Sequence, residues 1–195
     1  GKSTQAQLLA QRIRSELNQE VVLTREPGGT PLAEQLRGLV LANTNGPVDA
    51  RAEALIMAAA RASHVSEVIS PSIENGHFVI CDRFAGSYLA YQGYGRGLEL
   101  EVLRIITHFA SSGIDPDLTF FLHLDPLLAM ERKGQEVRDR IEAESQEFFS
   151  RVAKGYEELA VSNSWIMLDA SLSVEELHDE VFAQVLRVLQ NFGEK

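Results

Sequence analysis

The first four residues of the chain are of types suited to binding phosphate. The chain opens on Gly1-Lys2-Ser3-Thr4, directly before a helical pattern, and this order matches the second half of the Walker A motif. In that motif, backbone N–H groups and a helix N-terminus surround a polyphosphate. Lys2 would neutralise the β- and γ-phosphates, and the Ser3 hydroxyl would bind Mg²⁺. Gly1 to Thr4 are thus a candidate ATP-binding segment, although four such residues also fit an ordinary helix start.

A second candidate group, Asp82-Arg83, directly follows the apolar run at 78–81. An acid at the end of a strand can hold Mg²⁺ through water, and an arginine beside it can anchor a phosphate. The alternative for Asp82 is a turn or a helix cap. Together with Lys2 and Ser3, the pair favours phosphoryl transfer.

Composition limits the classes of protein that the chain can belong to. Its 195 residues, 45% of them hydrophobic, suit a single domain spanning 1–195. A net charge of −10 argues against binding to nucleic acids or acidic membranes. The single cysteine, Cys81, excludes a disulfide framework. No apolar run approaches the roughly 20 residues that cross a bilayer. We expect a soluble, cytoplasmic protein.

Apolar patterns predict four strands, each separated from the next by helical segments. Because parallel strands need such crossovers, we expect a doubly wound α/β sheet. Ligands bind outside the carboxyl ends of such strands, where charged residues gather here. A chain that opens inside a phosphate-binding loop predicts a first, central strand and the rest of that loop upstream. The strands are predicted at 21–23, 78–81, 118–123 and 165–168; the helices at 4–18, 31–42, 49–70, 87–92, 98–112, 141–160 and 173–191; the strand ends carry Arg25, Glu26, Asp82, Arg83, Asp125 and Asp169.

Several segments, in order along nearly the whole chain, resemble the thymidylate kinase family, a branch of the P-loop nucleoside monophosphate kinases. They are GKSTQ at 1–5, TREPGGT at 24–30, LRGLVL at 36–41, AR-x-x-HV at 60–65, CDRF-x-x-S-x-x-AYQG-x-GR at 81–96, DRIE at 139–142 and DAS at 169–171. The resemblance implies a P-loop NTPase fold. It also implies transfer of a phosphoryl group from ATP and Mg²⁺ to thymidine monophosphate in dTTP synthesis, and a homodimer.

The resemblance implies roles for residues near the acceptor phosphate. Arg25 to Gly28, with Pro27 among them, would form the loop beside that phosphate, and Glu26 would lie close to the metal. Arg37 and Arg83 look like the arginines that grip the monophosphate. The alternative for Arg37 is a surface ion pair.

Four further residues match family positions around the base. Arg61 resembles the arginine that faces a base carbonyl, while Ser87 and Gln92 match positions that read the thymine edge. A phenylalanine commonly stacks on thymine four residues before that arginine, but this chain has Met57, which can also pack on a ring. The alternative for Arg61 is a solvated or paired surface position.

Two residues match positions near the sugar. Tyr91 looks like the aromatic residue that lies under the sugar and disfavours a 2′-hydroxyl; its alternative is a core aromatic. Glu142 matches the acid at the end of the lid.

The charged segment at 131–142 has the composition of a lid that closes over ATP. Arg132, Arg138 and Arg140 are candidates for contact with the phosphates; the alternative is a solvated helix face. The second pKa of the acceptor phosphate, near 6, makes a strong general base unnecessary. Catalysis should therefore rest on alignment and on cations.

Other features and functions remain open alternatives. The five histidines lack metal-binding spacing. The stripe of Leu100, Leu103, Ile106 and Phe109 suits either a core or a homodimer face. One rival function is a kinase for a different small acceptor, and another is a non-catalytic nucleotide-binding module.

Overall fold

The computed structural model describes residues 1–42, 46–124 and 139–193. The helices are α1 (Lys2–Leu17), α2 (Pro31–Leu41), α3 (Ala50–His64), α4 (Ser70–Glu74), α5 (Ala85–Tyr88), α6 (Leu100–Ala110), α7 (Gln146–Ser162) and α8 (Val174–Gly193). The strands are β1 (Val21–Arg25), β2 (Phe78–Asp82), β3 (Phe120–His123) and β4 (Ile166–Asp169). Two wider π-helical turns cover Val65–Ile69 and Leu89–Gly95.

Side-chain caps set the start of several helices as the sequence predicts. Thr30 Oγ1 accepts a hydrogen bond from the Ala33 N–H at 3.1 Å at the start of α2. The Ser173 N–H donates to Glu176 Oε2 at 3.0 Å, and the Glu176 N–H donates to Ser173 Oγ at 3.2 Å. This reciprocal pair is a capping box at the start of α8, as the spacing of Ser173 and Glu176 indicates. Asp49 caps α3 by accepting from the N–H groups of Arg51 at 3.0 Å and Ala52 at 3.4 Å.

Three helix predictions were wrong in their details. The helix predicted at 87–92 is α only from Ala85 to Tyr88 and continues as the π-helical turn at Leu89–Gly95. The helix predicted at 49–70 is α only to His64, then widens into a π-helical turn and tightens again into α4. Pro71 lies in the first turn of α4, where its missing N–H costs little. The helix predicted to begin at 141 begins at 146 instead, because Ser145 Oγ caps it by accepting from the Phe148 N–H at 3.2 Å.

The four strands form two parallel pairs. β1 pairs with β2 from Val21 opposite Phe78 to Arg25 opposite Asp82, and β3 pairs with β4 from Phe120 opposite Ile166. The α/β class and the parallel strands are confirmed. A continuous four-stranded sheet is not observed: no ladder links the two pairs within the ranges described above.

Helices cover both faces of β3. Phe120 and Leu122 pack into a core with α1 and α8 that also takes residues from β1, β2 and β4. The alternate residue, Phe121, stacks on Tyr156 of α7 with ring centroids 5.6 Å apart. A second core joins α3, the π-helical turn at Leu89–Gly95, α6 and α7. No helix among the residues of known position is long and apolar enough to cross a membrane.

The register of β1 and β2 brings two turns together. Arg25 lies opposite Asp82, and the Glu26 N–H donates to the Asp82 carbonyl at 3.0 Å. The Glu26-Pro27-Gly28-Gly29 turn therefore lies beside Asp82-Arg83.

Candidate functional site

The N-terminus of α1 lies against the end of β2. Ser3 Oγ donates a hydrogen bond of 2.5 Å to Asp82 Oδ2, while Gly1 to Thr4 are exposed. Asp82 Oδ1 is buried and has no hydrogen-bond partner among the described residues. The structure thus brings together the hydroxyl and the carboxylate that the sequence predicts to act together. Both are oxygen ligands of the kind that Mg²⁺ prefers.

Arg83 leaves β2 with a φ of 71° and turns toward α7. Its Nη1 donates to the Tyr156 hydroxyl at 3.0 Å, and that hydroxyl donates to Ser87 Oγ at 2.8 Å. The Arg83 guanidinium also lies 5.5 Å from the centroid of the Tyr91 ring. Ser87, Tyr91 and Arg83 are therefore neighbours. Tyr156 was missed, because its helical pattern shows only a packed aromatic residue.

Arg37 points at the same region from α2. Its Nη1 donates to the Pro27 carbonyl at 3.0 Å. Burial lowers the pKa of Arg37 most, and the like charge of Arg25 lowers it further. Glu34 and Asp139 oppose this, and Arg83 adds the smallest lowering effect. Arginines held within electrostatic reach of one another create a potential that favours an anion.

Glu34 steadies the loop between β1 and α2. Its Oε1 accepts from the Gly29 N–H at 3.1 Å and from Arg25 Nη2 at 3.0 Å. The Gly29 N–H lowers the pKa of Glu34 most, and Arg25 adds to this effect against the cost of burial. Sequence reasoning missed Glu34, although its position in the first turn of α2 was a usable signal.

Glu26 lies in a buried network rather than at an open metal position. Its Oε2 accepts from Arg61 Nε at 2.8 Å and lies 2.7 Å from Nη2. Its Oε1 lies 3.1 Å from His64 Nδ1, and His64 Nε2 lies 2.7 Å from Thr24 Oγ1. The position close to the metal that the resemblance implies for Glu26 stays a prediction. His64 was considered only as a metal ligand, and its part in this network was missed.

One nitrogen of the Arg61 guanidinium, Nη1, makes no hydrogen bond to the described residues. The guanidinium lies 5.1 Å from the ring centroids of both Phe84 and Tyr88, and the residue is only 4% exposed. Its Nη1 is buried and unpaired with any described residue. A buried donor without a partner is costly, so this atom is suited to a ligand acceptor.

Gly29 allows the loop to pack directly on α3. Its φ is 93°, and a Cβ there would lie 2.5 Å from His64 Cδ2. Any side chain would meet both backbone strain and the His64 ring. The glycines of the predicted turn thus serve close packing as well as chain reversal.

Gln92 and Arg140 meet at one buried carboxylate, Glu53. Gln92 Nε2 donates to Glu53 Oε1 at 2.8 Å, and Arg140 Nη2 binds Glu53 Oε2. Arg140 Nε also donates to the Val40 carbonyl at 2.7 Å. In this arrangement the Arg140 guanidinium binds protein groups, and its contact with a phosphate stays a prediction. Glu53 was missed because nothing in its sequence context marks it as buried.

The remaining predicted residues have simpler positions. Met57 is partly buried against the second core. Glu142 is exposed, and its N–H donates to Asp139 Oδ1 at 2.8 Å. Arg132, Arg138 and Asp125 lie outside the described residues.

Comparison with known proteins adds to this geometry. A family model described as thymidylate kinase matches residues 1–181. The chain belongs to the thymidylate kinase family. The thymidylate kinase of Halothermothrix orenii is 43% identical over 189 residues, which cover 95% of this chain and 90% of that protein. The thymidylate kinase of Finegoldia magna is 44% identical over 192 residues, 97% of this chain and 92% of its own. The thymidylate kinase of Prochlorococcus marinus strain MIT 9303 is 45% identical over 193 residues, which cover 95% of this chain and 88% of that protein.

Membership of the thymidylate kinase family confirms the resemblance found from the motifs. It also establishes that this chain is an enzyme, a transferase of the kinase class that acts in nucleotide biosynthesis. Its P-loop fold follows from the same match.

Proposed function

We propose that this chain transfers the terminal phosphoryl group of ATP to thymidine monophosphate, giving ADP and thymidine diphosphate for dTTP synthesis. One observation carries the proposal. Asp82 is hydrogen-bonded to Ser3 of the donor segment, and its carbonyl accepts from the Glu26 N–H of the turn whose Pro27 carbonyl accepts from Arg37. The ends of two phosphorylated molecules can therefore meet at the carboxyl end of β2.

The donor side is the exposed start of α1. The N–H groups of the first helical turn and the charge of Lys2 would hold the polyphosphate of ATP.

The acceptor side is the group of arginines around the Glu26-Pro27 turn. Arg37 and Arg83 would bind the monophosphate, and its negative charge would offset the burial and the repulsion from Arg25 that lower the pKa of Arg37. Two hydrogen bonds hold this loop in place: Arg25 donates to Glu34, and Arg37 donates to the Pro27 carbonyl.

The residues of this site would catalyse the reaction by aligning the two substrates. The acceptor phosphate is largely ionised at neutral pH, so its oxygen attacks without a strong general base. Holding both anions in line and neutralising their charge lowers the barrier. We propose that Arg132 and Arg138 of the lid at 131–142 also neutralise charge on the phosphates. These two arginines lie outside the described residues.

The base would lie against α3 and the π-helical turn that carries Gln92. The unpaired Nη1 of Arg61 would donate to a base carbonyl, and Gln92 would pair with the neighbouring ring position. Met57 would pack on the ring. Ser87 and Tyr91, both next to Arg83, would face the nucleotide, and Glu142 would lie near its sugar.

Mg²⁺ fits the residues at the start of α1. Ser3 Oγ would bind it, and Asp82, with one carboxylate oxygen buried and unpaired among the described residues, would bind through water. When bound, the ion supplies positive charge to the β- and γ-phosphates.

We infer that the protein is a cytoplasmic homodimer. Leu103 of the predicted stripe is buried, whereas Phe109 is 84% exposed. The exposed apolar face of α6 is instead formed by Val102, Ile105 and Phe109. Apolar side chains at this spacing suit a face covered by a second copy.

We further propose that the two strand pairs belong to one doubly wound sheet, joined by an additional parallel strand. Their shared core with α1 and α8 supports this arrangement.

A steady-state assay of ADP formation with each nucleoside monophosphate tests the proposed function. We expect the highest kcat/KM with thymidine monophosphate and a large loss in the Lys2→Met variant. Faster turnover on another base would displace the substrate assignment. Absence of ADP formation in the presence of thymidine monophosphate would favour a non-catalytic module.

A further inference from the structure

The buried carboxylate of Glu53 determines which end of the Gln92 amide is left for a ligand. Glu53 is fully buried, and Gln92 is only 3% exposed. Gln92 Nε2 donates to Glu53 Oε1 at 2.8 Å. Because an ionised carboxylate only accepts hydrogen bonds, it must face the NH₂ group of the amide. Oε1 of Gln92 has no hydrogen bond from any described residue and remains available as an acceptor.

Two arginines keep Glu53 ionised. Arg96 donates to it from Nε at 3.1 Å and from Nη2 at 3.0 Å, and Arg140 Nη2 binds it as well. Burial opposes the charge, but the hydrogen bonds from Arg96 and Arg140 outweigh burial and lower the pKa of Glu53. The carboxylate can therefore hold the amide in one orientation throughout the neutral pH range.

Arg61, the second residue proposed to read the base, lies on the same helix as Glu53, α3. Glu53, Met57 and Arg61 follow one another at intervals of four residues, so they lie along one face of α3. Arg61 presents a donor that has no partner among the described residues, and a guanidinium can never accept. The α3 face and Gln92 therefore offer a ligand one fixed donor and one fixed acceptor.

A fixed donor beside a fixed acceptor is complementary to the hydrogen-bonding groups of thymine and not to those of cytosine. Thymine has a carbonyl acceptor at position 4 beside an N–H donor at position 3, whereas cytosine carries an amino donor at position 4 beside an acceptor nitrogen. A flipped Gln92 amide would present Nε2 and pair with cytosine N3.

We propose that Glu53 is a positioning residue that makes the enzyme select thymine over cytosine by fixing the orientation of the Gln92 amide. The inference rests on the proposed function, since it takes Arg61 and Gln92 as the residues that read the base.

The Glu53→Gln substitution tests the inference. Oε2 of Glu53 accepts from both Arg96 Nη2 and Arg140 Nη2, whereas Oε1 accepts from Gln92 and from Arg96 Nε. Because an NH₂ group in the Oε2 position would face two donors that cannot accept, the oxygen of the substituted amide will take that position and its NH₂ group will face Gln92. Gln92 would then turn its Oε1 inward and present Nε2 to the ligand. We expect the ratio of kcat/KM for thymidine monophosphate to that for deoxycytidine monophosphate to fall about tenfold or more, the effect of one mispaired buried hydrogen bond.

Glu144→Gln is the matched control. Glu144 Oε1 accepts from Arg96 Nη1 at 2.5 Å and makes no hydrogen bond to Gln92. This variant also removes one carboxylate from the arginine network, so it reports the effect of altered stability alone. We expect its thymine-to-cytosine ratio to stay within about twofold of the wild type, since every hydrogen bond of Gln92 is retained.

Two measurements keep the test decisive if Glu53→Gln folds poorly. The double variant Glu53→Gln/Arg96→Met removes one charge of each sign, so the buried site keeps its net charge. Arg140, which can only donate, then faces the oxygen of the substituted amide, and the variant should show the same fall in the ratio. In the wild type, 3-methylthymidine monophosphate lacks the N–H donor, and its kcat/KM should fall at least tenfold.

The outcomes separate the two levels of inference. If the wild type does not phosphorylate thymidine monophosphate, the proposed function fails. If it does, but the variants keep the wild-type ratio, or the 3-methyl substrate reacts as well as the parent, the role of Glu53 in selectivity is refuted.

Discussion

The carboxylate of Glu26 holds the guanidinium of Arg61 side-on, with Oε2 2.8 Å from Nε and 2.7 Å from Nη2. Both side chains are about 5% exposed or less. The pair connects the turn after β1 to α3, so the loop near the acceptor arginines and the helix that faces the base form one unit. Its main task is to support the site.

Removing the carboxylate of this pair should cost much of the stability. Glu26→Ala would leave Arg61 buried without a counter-charge, and we expect the free energy of unfolding to fall by about 3–5 kcal/mol. Urea unfolding at pH 7 measures this. The control is Glu16→Ala, which breaks a solvent-exposed pair with Arg12 and should cost less than about 1 kcal/mol. Equal losses in the two variants would contradict the prediction.

Asp82→Asn should reduce turnover far more than stability. Asparagine can still accept from Ser3, but it lacks the charge that supports Mg²⁺, so we expect kcat to fall about 100-fold. Steady-state rates across a MgCl₂ titration test this. Asp179→Asn, which alters an exposed aspartate bound to Arg12, should retain wild-type rates. A kcat for Asp82→Asn within threefold of the wild type would count against the metal assignment.

Arg37→Lys should weaken binding of the acceptor selectively. Lysine can keep a positive charge but cannot both donate to the Pro27 carbonyl and grip a phosphate with a planar fork. We expect KM for thymidine monophosphate to rise about tenfold or more, the effect of a lost charge-assisted hydrogen bond, with KM for ATP little changed. Arg51→Lys, on an exposed position of α3, is the control. A parallel rise in both KM values would argue for general disruption.

His178 should make the protein less stable in mild acid. Burial lowers the pKa of its ring, and the charge of Arg12 lowers it further, while Asp179 and Glu16 oppose this. Between that lowered pKa and about 6.5, the unfolded chain binds more protons, so the free energy of unfolding falls as the pH drops through this window. Unfolding of the wild type and of His178→Gln at pH 7.5 and 5.5 tests it. The variant should lose less stability, and an equal loss would show that other groups dominate.

The proposed homodimer depends on the exposed face of α6. Phe109→Glu places a charge in the apolar stripe with Val102 and Ile105, so the dimer should dissociate. Sedimentation velocity measures the molecular mass in solution. Val161→Glu, at another exposed apolar position on α7, should remain a dimer. A monomeric wild type would refute the proposal directly.

Local patterns predicted most of the fold. Caps such as Thr30 and Ser173 depend on residues within three positions, so the sequence shows them directly. The start of α7 was misplaced because the apolar pattern continues upstream of Ser145. The division of the strands into two pairs depends on long-range pairing, which periodicity does not report.

The candidate site was predicted in part, for a similar reason. Motif residues such as Ser3 and Asp82 were found from their types and their positions at element ends. Glu53 and Tyr156 act only through side chains distant in sequence, and no local pattern reveals such contacts.

The contact of Gly29 with the His64 ring limits how this loop can evolve. A larger residue at position 29 requires a smaller one at position 64, and that change would remove the hydrogen bonds to Thr24 and Glu26. The two positions should therefore vary together or not at all. Resistance to a compound that binds beside this loop would have to arise at other positions.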